Sequence, residues 1–178
     1  MAPDSPPRLE TERLILSAHT LADFEPLAAM WADPEITRQI GVTPSDRQAS
    51  WMRLLRYRGL WPVLGYGYWA VREKGSGAFV GDLGFADFHR ALEPPIDGVP
   101  EAGWAFVRSA QGKGYATEAL KAALAWLDGT GRHPRSVCII SPSNLASIRV
   151  AEKAGYRQEG MVRMGDGELL LMARGAGG

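Results

Sequence analysis

Gln111-Gly112-Lys113-Gly114-Tyr115-Ala116-Thr117 marks the place where the chain changes period. Residues 101–107 before it read as an extended, largely apolar run. After it, Ala119, Leu120, Ala123, Leu124 and Leu127 recur at helical spacing. The order is therefore strand, glycine loop, helix. Glycines let the backbone turn sharply and approach a ligand closely, and the unpaired N–H groups of a helix start point outward with partial positive charge. Together they suit an anion, most often a phosphate. The loop lacks the GK[ST] ending of a nucleotide-triphosphate loop. It is not a dinucleotide loop either, because the third glycine position falls on Thr117. A purely structural role, capping strand and helix, stays open on this segment alone.

Working outward, residues 13–17 read as a strand, and Thr20 offers a cap to a helix over 21–31 that stops at Asp33-Pro34. Ser45 or Asp46 caps a second helix to about residue 58. Strands over 68–73 and 78–86 flank the Lys74–Gly77 turn and predict a hairpin. Residues 89–100 hold Pro94, Pro95, Gly98 and Pro100 and predict a loop. A strand over 137–141, a helix from Asn144 or Leu145 to Lys153, and two strands around Gly165-Asp166-Gly167 complete the pattern. The order βα, α, βββ, α, β, α, ββ predicts a mixed α/β (α+β) sheet in a single domain over residues 9–174, with a flexible leader at 1–8 and a frayed tail at 175–178.

Hydrophobic residues at 46% and charged residues at 22% exclude a disordered chain. Twenty basic residues balance twenty acidic ones, so a dedicated nucleic-acid binder is not expected and any anion site must be local. No apolar run approaches membrane-spanning length, and the polar, proline-rich start does not read as a signal peptide, which together predict a cytoplasmic protein without membrane partners. Cys138, the single cysteine, lies in the run Val137-Cys138-Ile139-Ile140 and reads as a small core residue rather than a catalytic thiol. His19 and His133 show no metal-ligand spacing, so no metal is expected.

Gln111-x-x-Gly114-x-Ala116 resembles the pyrophosphate signature of the GNAT superfamily of acyl-CoA-dependent N-acetyltransferases. Three further pieces, in order along the chain, resemble the Rim-type branch that acetylates ribosomal-protein N-termini: the opening Leu9-Glu10-Thr11-Glu12-Arg13-Leu14 with Asp33-Pro34-Glu35, the strand Glu101-Ala102-Gly103-Trp104-Ala105-Phe106, and the late Asn144-x-x-Ser147 run ending in Gly155-Tyr156. The resemblance implies a twisted, mostly antiparallel sheet, splayed at the cofactor site and flanked by helices. It implies an enzyme that moves an acetyl group from acetyl-CoA to a primary amine, a peptide N-terminus or a small amine, by direct attack in a ternary complex, as a monomer or homodimer. A catalytically silent acyl-CoA sensor is the alternative.

By the same resemblance, the diphosphate lies on the backbone N–H groups of Gly112, Gly114, Tyr115, Ala116 and Thr117 beside Gln111. The pantetheine arm adds to the backbone of Trp104, Ala105 and Phe106, and Asn144 holds it from the other side. Lys113 is placed either for a phosphate or for solvent. An alkyl amine with a pKa of roughly 10.4 must lose a proton before it attacks. Glu101 is the first candidate base and His89 the second. A backbone N–H near Phe106 is the candidate donor to the acyl oxygen, and Ser141 or Ser147 the candidate aid to the leaving thiol. Trp31, Trp51, Trp61, Tyr66, Tyr68 and Trp69 put aromatic weight where the family builds its acceptor cleft; most such residues are core, and Trp61, Tyr66 and Trp69 are the ones expected in the cleft.

Overall fold

Residues 4–178 are described by the computed structural model. Two short strands, β1 (Leu9–Glu10) and β2 (Leu14–Ser17), lead through a 3-10 turn into α1 (Phe24–Ala32), α2 (Pro34–Ile40) and α3 (Arg47–Leu64). The hairpin follows as β3 (Tyr68–Glu73) and β4 (Phe79–Ala86). Then come β5 (Leu92–Glu93), β6 (Glu101–Phe106), α4 (Tyr115–Gly129), β7 (Arg135–Ile140), α5 (Leu145–Lys153), β8 (Arg157–Met164) and β9 (Gly167–Gly175). Among the described residues, nine strands form one sheet in the order β1-β2-β3-β4-β6-β7-β9-β8-β5. None of the described helices is long and apolar enough to cross a membrane.

Three elements depart from the sequence pattern. Asp33-Pro34 ends α1 but also begins α2, because proline is tolerated at a first helical position and the Asp33 carboxylate accepts from the Glu35 N–H at 2.9 Å. α3 runs six residues past the expected end, with Pro62 in its last turn, and stops where Gly65 takes φ 77°. Within the expected loop at 89–100, Leu92 and Glu93 pair with Met164 and Arg163. Trp69 Nε1 donates to the Pro7 carbonyl at 2.8 Å, and Arg174 donates to the Gly178 carbonyl.

The sheet buries both faces. On one, α4 lays Leu120, Leu124 and Leu127 against Trp61, Trp69 and Phe85. On the other, α1, α2 and α3 pack Leu27, Ile36 and Leu54 against Tyr68 and Ala105. Trp61 and Trp69 are fully buried and meet Trp126 edge-on. Truncating either tryptophan to alanine should cost about 3–5 kcal/mol. They are therefore core rather than cleft, as is Tyr66 at 4% exposure, and the expectation that these three line the acceptor site is corrected.

Every adjacent pair of strands is antiparallel except β6 and β7. These two run parallel and share one register pair, Glu101 with Val137, where the Val137 N–H donates to the Pro100 carbonyl at 3.0 Å. Past that point they separate, while β6 stays paired with β4 along its whole length. A wedge opens in the sheet on the Trp104–Phe106 side of β6.

Candidate functional site

One end of the wedge is a cavity of about 300 Å³ between the end of β6, the glycine loop and α5. Gly112 and Gly114 hold φ of 75° and 80°, the left-handed region that costs other L residues roughly 1–2 kcal/mol. Gly114 is the N-cap of α4, so the unpaired N–H groups of that fifteen-residue helix face the cavity behind it. A Cβ at Gly112 would meet no atom within 4 Å, which leaves the backbone open to a large ligand. Gln111 ties the loop to the strand by donating from Nε2 to the Phe106 carbonyl at 3.1 Å. Among the residues expected to bind the donor, Trp104, Ala105, Phe106, Gln111, Gly112, Gly114, Tyr115, Ala116, Thr117, Asn144 and Ser147 all line this cavity. Lys113 does not.

The loop is braced from the start of the chain. Arg13 donates from Nη1 to the Lys113 carbonyl at 2.9 Å and from Nε to Glu118 at 2.8 Å, while Thr11 Oγ1 donates to the same carboxylate at 2.6 Å. Burial raises the Glu118 carboxyl, but the hydrogen bonds from Thr11 and Arg13 overcome this and leave it below its ordinary value. Tyr115 turns inward, 6% exposed, and its hydroxyl donates to Glu73. On the opposite wall α5 offers Arg149 and Lys153, four residues apart and so on one face. The first was visible only as a motif position, and the second was not foreseen.

The other end of the wedge is a cavity of about 410 Å³ enclosed by α1, α3, β4, β6, β7 and the β8–β9 end. The two cavities share Ile40, Trp104, Asn144 and Ser147. Asn144 is the joint between them. Its Oδ1 accepts from the Ser147 N–H at 3.1 Å as the cap of α5, and its Nδ2 donates to the Gln39 carbonyl of α2 at 2.7 Å. Gly103 is required at the floor, since a Cβ there would lie 2.1 Å from the Tyr68 hydroxyl oxygen. Tyr68 in turn stacks on Tyr57 with ring centroids 4.2 Å apart.

Two buried carboxylates face this larger cavity. Glu101, 7% exposed, is raised by its burial, with the joined Arg90 guanidinium opposing that shift. Asp82 is fully buried and accepts from Trp31 Nε1 at 3.0 Å and from the Tyr57 hydroxyl at 3.5 Å. Burial pushes it up to about 6, against the pull of the Trp31 hydrogen bond. Sequence reasoning missed Asp82 and Tyr57, and counted Trp31 and Tyr68 among aromatics that are more often core than ligand platform. Nothing local marks this aspartate within the expected strand over 78–86, and only the pairing of Asp82 with Ala105 of β6 places it beneath the site.

Ser141 lies on the same wall, its hydroxyl 2.9 Å from that of Ser143. Cys138 also touches the cavity, but it is 1% exposed and burial pushes its thiol well above the ordinary value, as suits an inert core thiol. His89 lies outside the cavity, its side chain 72% exposed, in a group with half-buried Asp87 and exposed Asp97 whose ligand atoms fall within 4.8 Å of one another.

The family model described as an acetyltransferase (GNAT) domain matches residues 13–157. A solved structure of a Bordetella pertussis protein assigned to the GnaT-family acetyltransferases superposes with a TM-score of 0.81 at 33% identity, covering 95% of this chain and 99% of that one. The uncharacterised protein YkkB of Bacillus subtilis is 36% identical over 101 residues, 56% of each chain. The uncharacterised N-acetyltransferase p20 of Bacillus licheniformis is 25% identical over 156 residues, 87% of this chain and 85% of that one.

Proposed function

The chain belongs to the GNAT acetyltransferases, acetyl-CoA-dependent enzymes, and on that premise we propose that it acetylates a primary amine held in the larger cavity while acetyl-CoA occupies the smaller. The observation that carries this reading is the junction: two cavities that abut at Trp104 and Asn144 without coinciding, so that both reactants can be present together. Direct transfer needs that arrangement. Acetyl-CoA supplies an activated acetyl thioester; the remaining tasks belong to this chain.

The donor's diphosphate fits the left-handed glycines and the α4 start, which offer backbone N–H groups and no Cβ. Arg149 and Lys153 add positive charge on the facing wall. The open side of β6 takes the pantetheine amides as an added strand. The backbone N–H near Phe106 donates to the acyl oxygen, and Ser141 or Ser147 donates toward the leaving sulfur. Glu101 takes the amine proton, directly or through water. A raised carboxyl serves here because its proton affinity lies nearer to working pH than that of an exposed glutamate.

Asp82 is the second candidate base, favoured by its burial in the same cavity without an arginine within ion-pair distance. Thiol release from acetyl-CoA, measured against pH with Glu101→Gln and Asp82→Asn, separates the two. The base variant should lose roughly 100-fold in turnover with unchanged acetyl-CoA affinity, and the other should keep the wild-type profile. Acetyl-CoA binding without thiol release on any amine would move the chain to the silent sensor.

A further inference from the structure

The larger cavity carries three guanidinium groups, Arg53, Arg56 and Arg90, against two carboxylates, Asp82 and Glu101. Arg90 is joined to Glu101. The other two are not joined to any described carboxylate. Arg53 lies over the Trp31 ring, 3.6 Å from its centroid. Its buried Nε meets no acceptor, while its terminal nitrogens reach Ser45 Oγ at 3.5 Å and the Tyr57 side chain. Arg56, one turn along α3, rests against the rings of Phe88 and Tyr57 at 5.4 and 5.9 Å. Residues three apart on a helix are surface neighbours, so α3 brings two guanidinium groups to one wall of the cavity with their hydrogen-bonding capacity largely unspent.

We propose that Arg53 and Arg56 form an anion subsite and that the acceptor is a small primary amine bearing a carboxylate. The carboxylate lies on the arginine pair and the amino group points toward Asp82 and Glu101. The proposal rests on the transferase reading above and deepens it. A guanidinium pairs a carboxylate through two parallel hydrogen bonds, and its planar fork is half organised already by the Trp31 ring. With both carboxylates ionised, three cations against two anions leave the lining one positive charge in excess. That excess disfavours a second cation, so a polyamine or aminoglycoside meets net repulsion where an amino acid does not. A volume of about 410 Å³ is at the small end of ligand sites and suits an acceptor of amino-acid size.

The test compares kcat/KM for a series of amino acids with that for their carboxamides, in the wild type, Arg56→Gln and Arg53→Gln, with acetyl-CoA affinity followed by calorimetry. Arg56 is exposed, so its substitution leaves the core intact. The wild type should prefer the free carboxylate at least tenfold, about the effect of one charge-assisted hydrogen bond. Each variant should reduce that preference severalfold without changing acetyl-CoA affinity. Equal use of acid and carboxamide, or faster turnover of polyamines or of peptides without a nearby carboxylate, overturns the proposal. So does a preference that neither variant reduces. Acetyl-CoA binding with no turnover of any amine defeats the transferase reading itself, a result distinct from a wrong preference.

Discussion

The smaller cavity, proposed for the donor, is built around the glycine loop, the end of β6 and α5, and the larger, proposed for the acceptor, around residues from ten helices and strands. In the first, function depends on conformations that only glycine adopts cheaply and on N–H groups that every residue carries. In the second, it depends on which side chains the fold assembles. Backbone chemistry tolerates change in the residues around it, whereas a side-chain cavity can be refitted to a new ligand by single substitutions. One scaffold can thus keep its donor and vary its acceptor.

Gly114→Asp should have the largest effect on this contrast. The left-handed φ of 80° strains any Cβ, and a carboxylate at the α4 start repels the diphosphate. Acetyl-CoA affinity should fall more than 100-fold by calorimetry, and an unchanged affinity would break the assignment of the loop. The next effect is in stability. The Asp82 carboxyl is raised from 3.8 to about 6, so the folded chain holds a proton there that the unfolded chain has released. The burden of that buried charge is absent below about pH 4 and fully present above about pH 6, worth about 3 kcal/mol at 1.36 kcal/mol per pKa step. Asp82→Asn should therefore match the wild type in urea unfolding at acid pH and exceed it at pH 8. If the two curves shift together across that range, Asp82 is solvated and the acceptor floor is looser than described. The smallest effect belongs to the one part of the donor wall built from charged side chains. Arg149→Ala or Lys153→Ala should raise the KM for acetyl-CoA only a few-fold, and added salt should erase the difference.

The same contrast governs what could be read before the fold was known. The glycine loop, the strand before it and the helix after it announce themselves through local rules, and their ends agree with the sequence pattern to within about two residues. The glycine at 103 was legible as a motif position, but its cause, the Tyr68 hydroxyl beneath it, is a contact between strands 35 residues apart in sequence. The acceptor wall was misread for that reason. Trp61, Tyr66 and Trp69 stand in a stretch rich in breakers, which suggests exposure, while their burial is decided by α4 packing from the far side. Tyr57 and Trp31 look like ordinary members of helical stripes, and nothing local distinguishes a stripe that faces a cavity from one that faces a core. Thr11 and Arg13 belonged to a recognisable opening, yet their grip on Glu118 spans more than 100 residues and has no local signature.

The strand order has one more consequence. β9 follows every other element in sequence, yet it lies inside the sheet, paired with β7 over six positions and with β8 along most of its length. Until it arrives, β7 and β8 have no partner on those sides, and Leu169 is missing from the acceptor wall. A ribosome releasing this chain from the first residue onward therefore extrudes the glycine loop long before the strand that completes the sheet. The nascent enzyme must carry two open β edges until β9 is free to insert. That interval is when it is most exposed to aggregation and most in need of a chaperone.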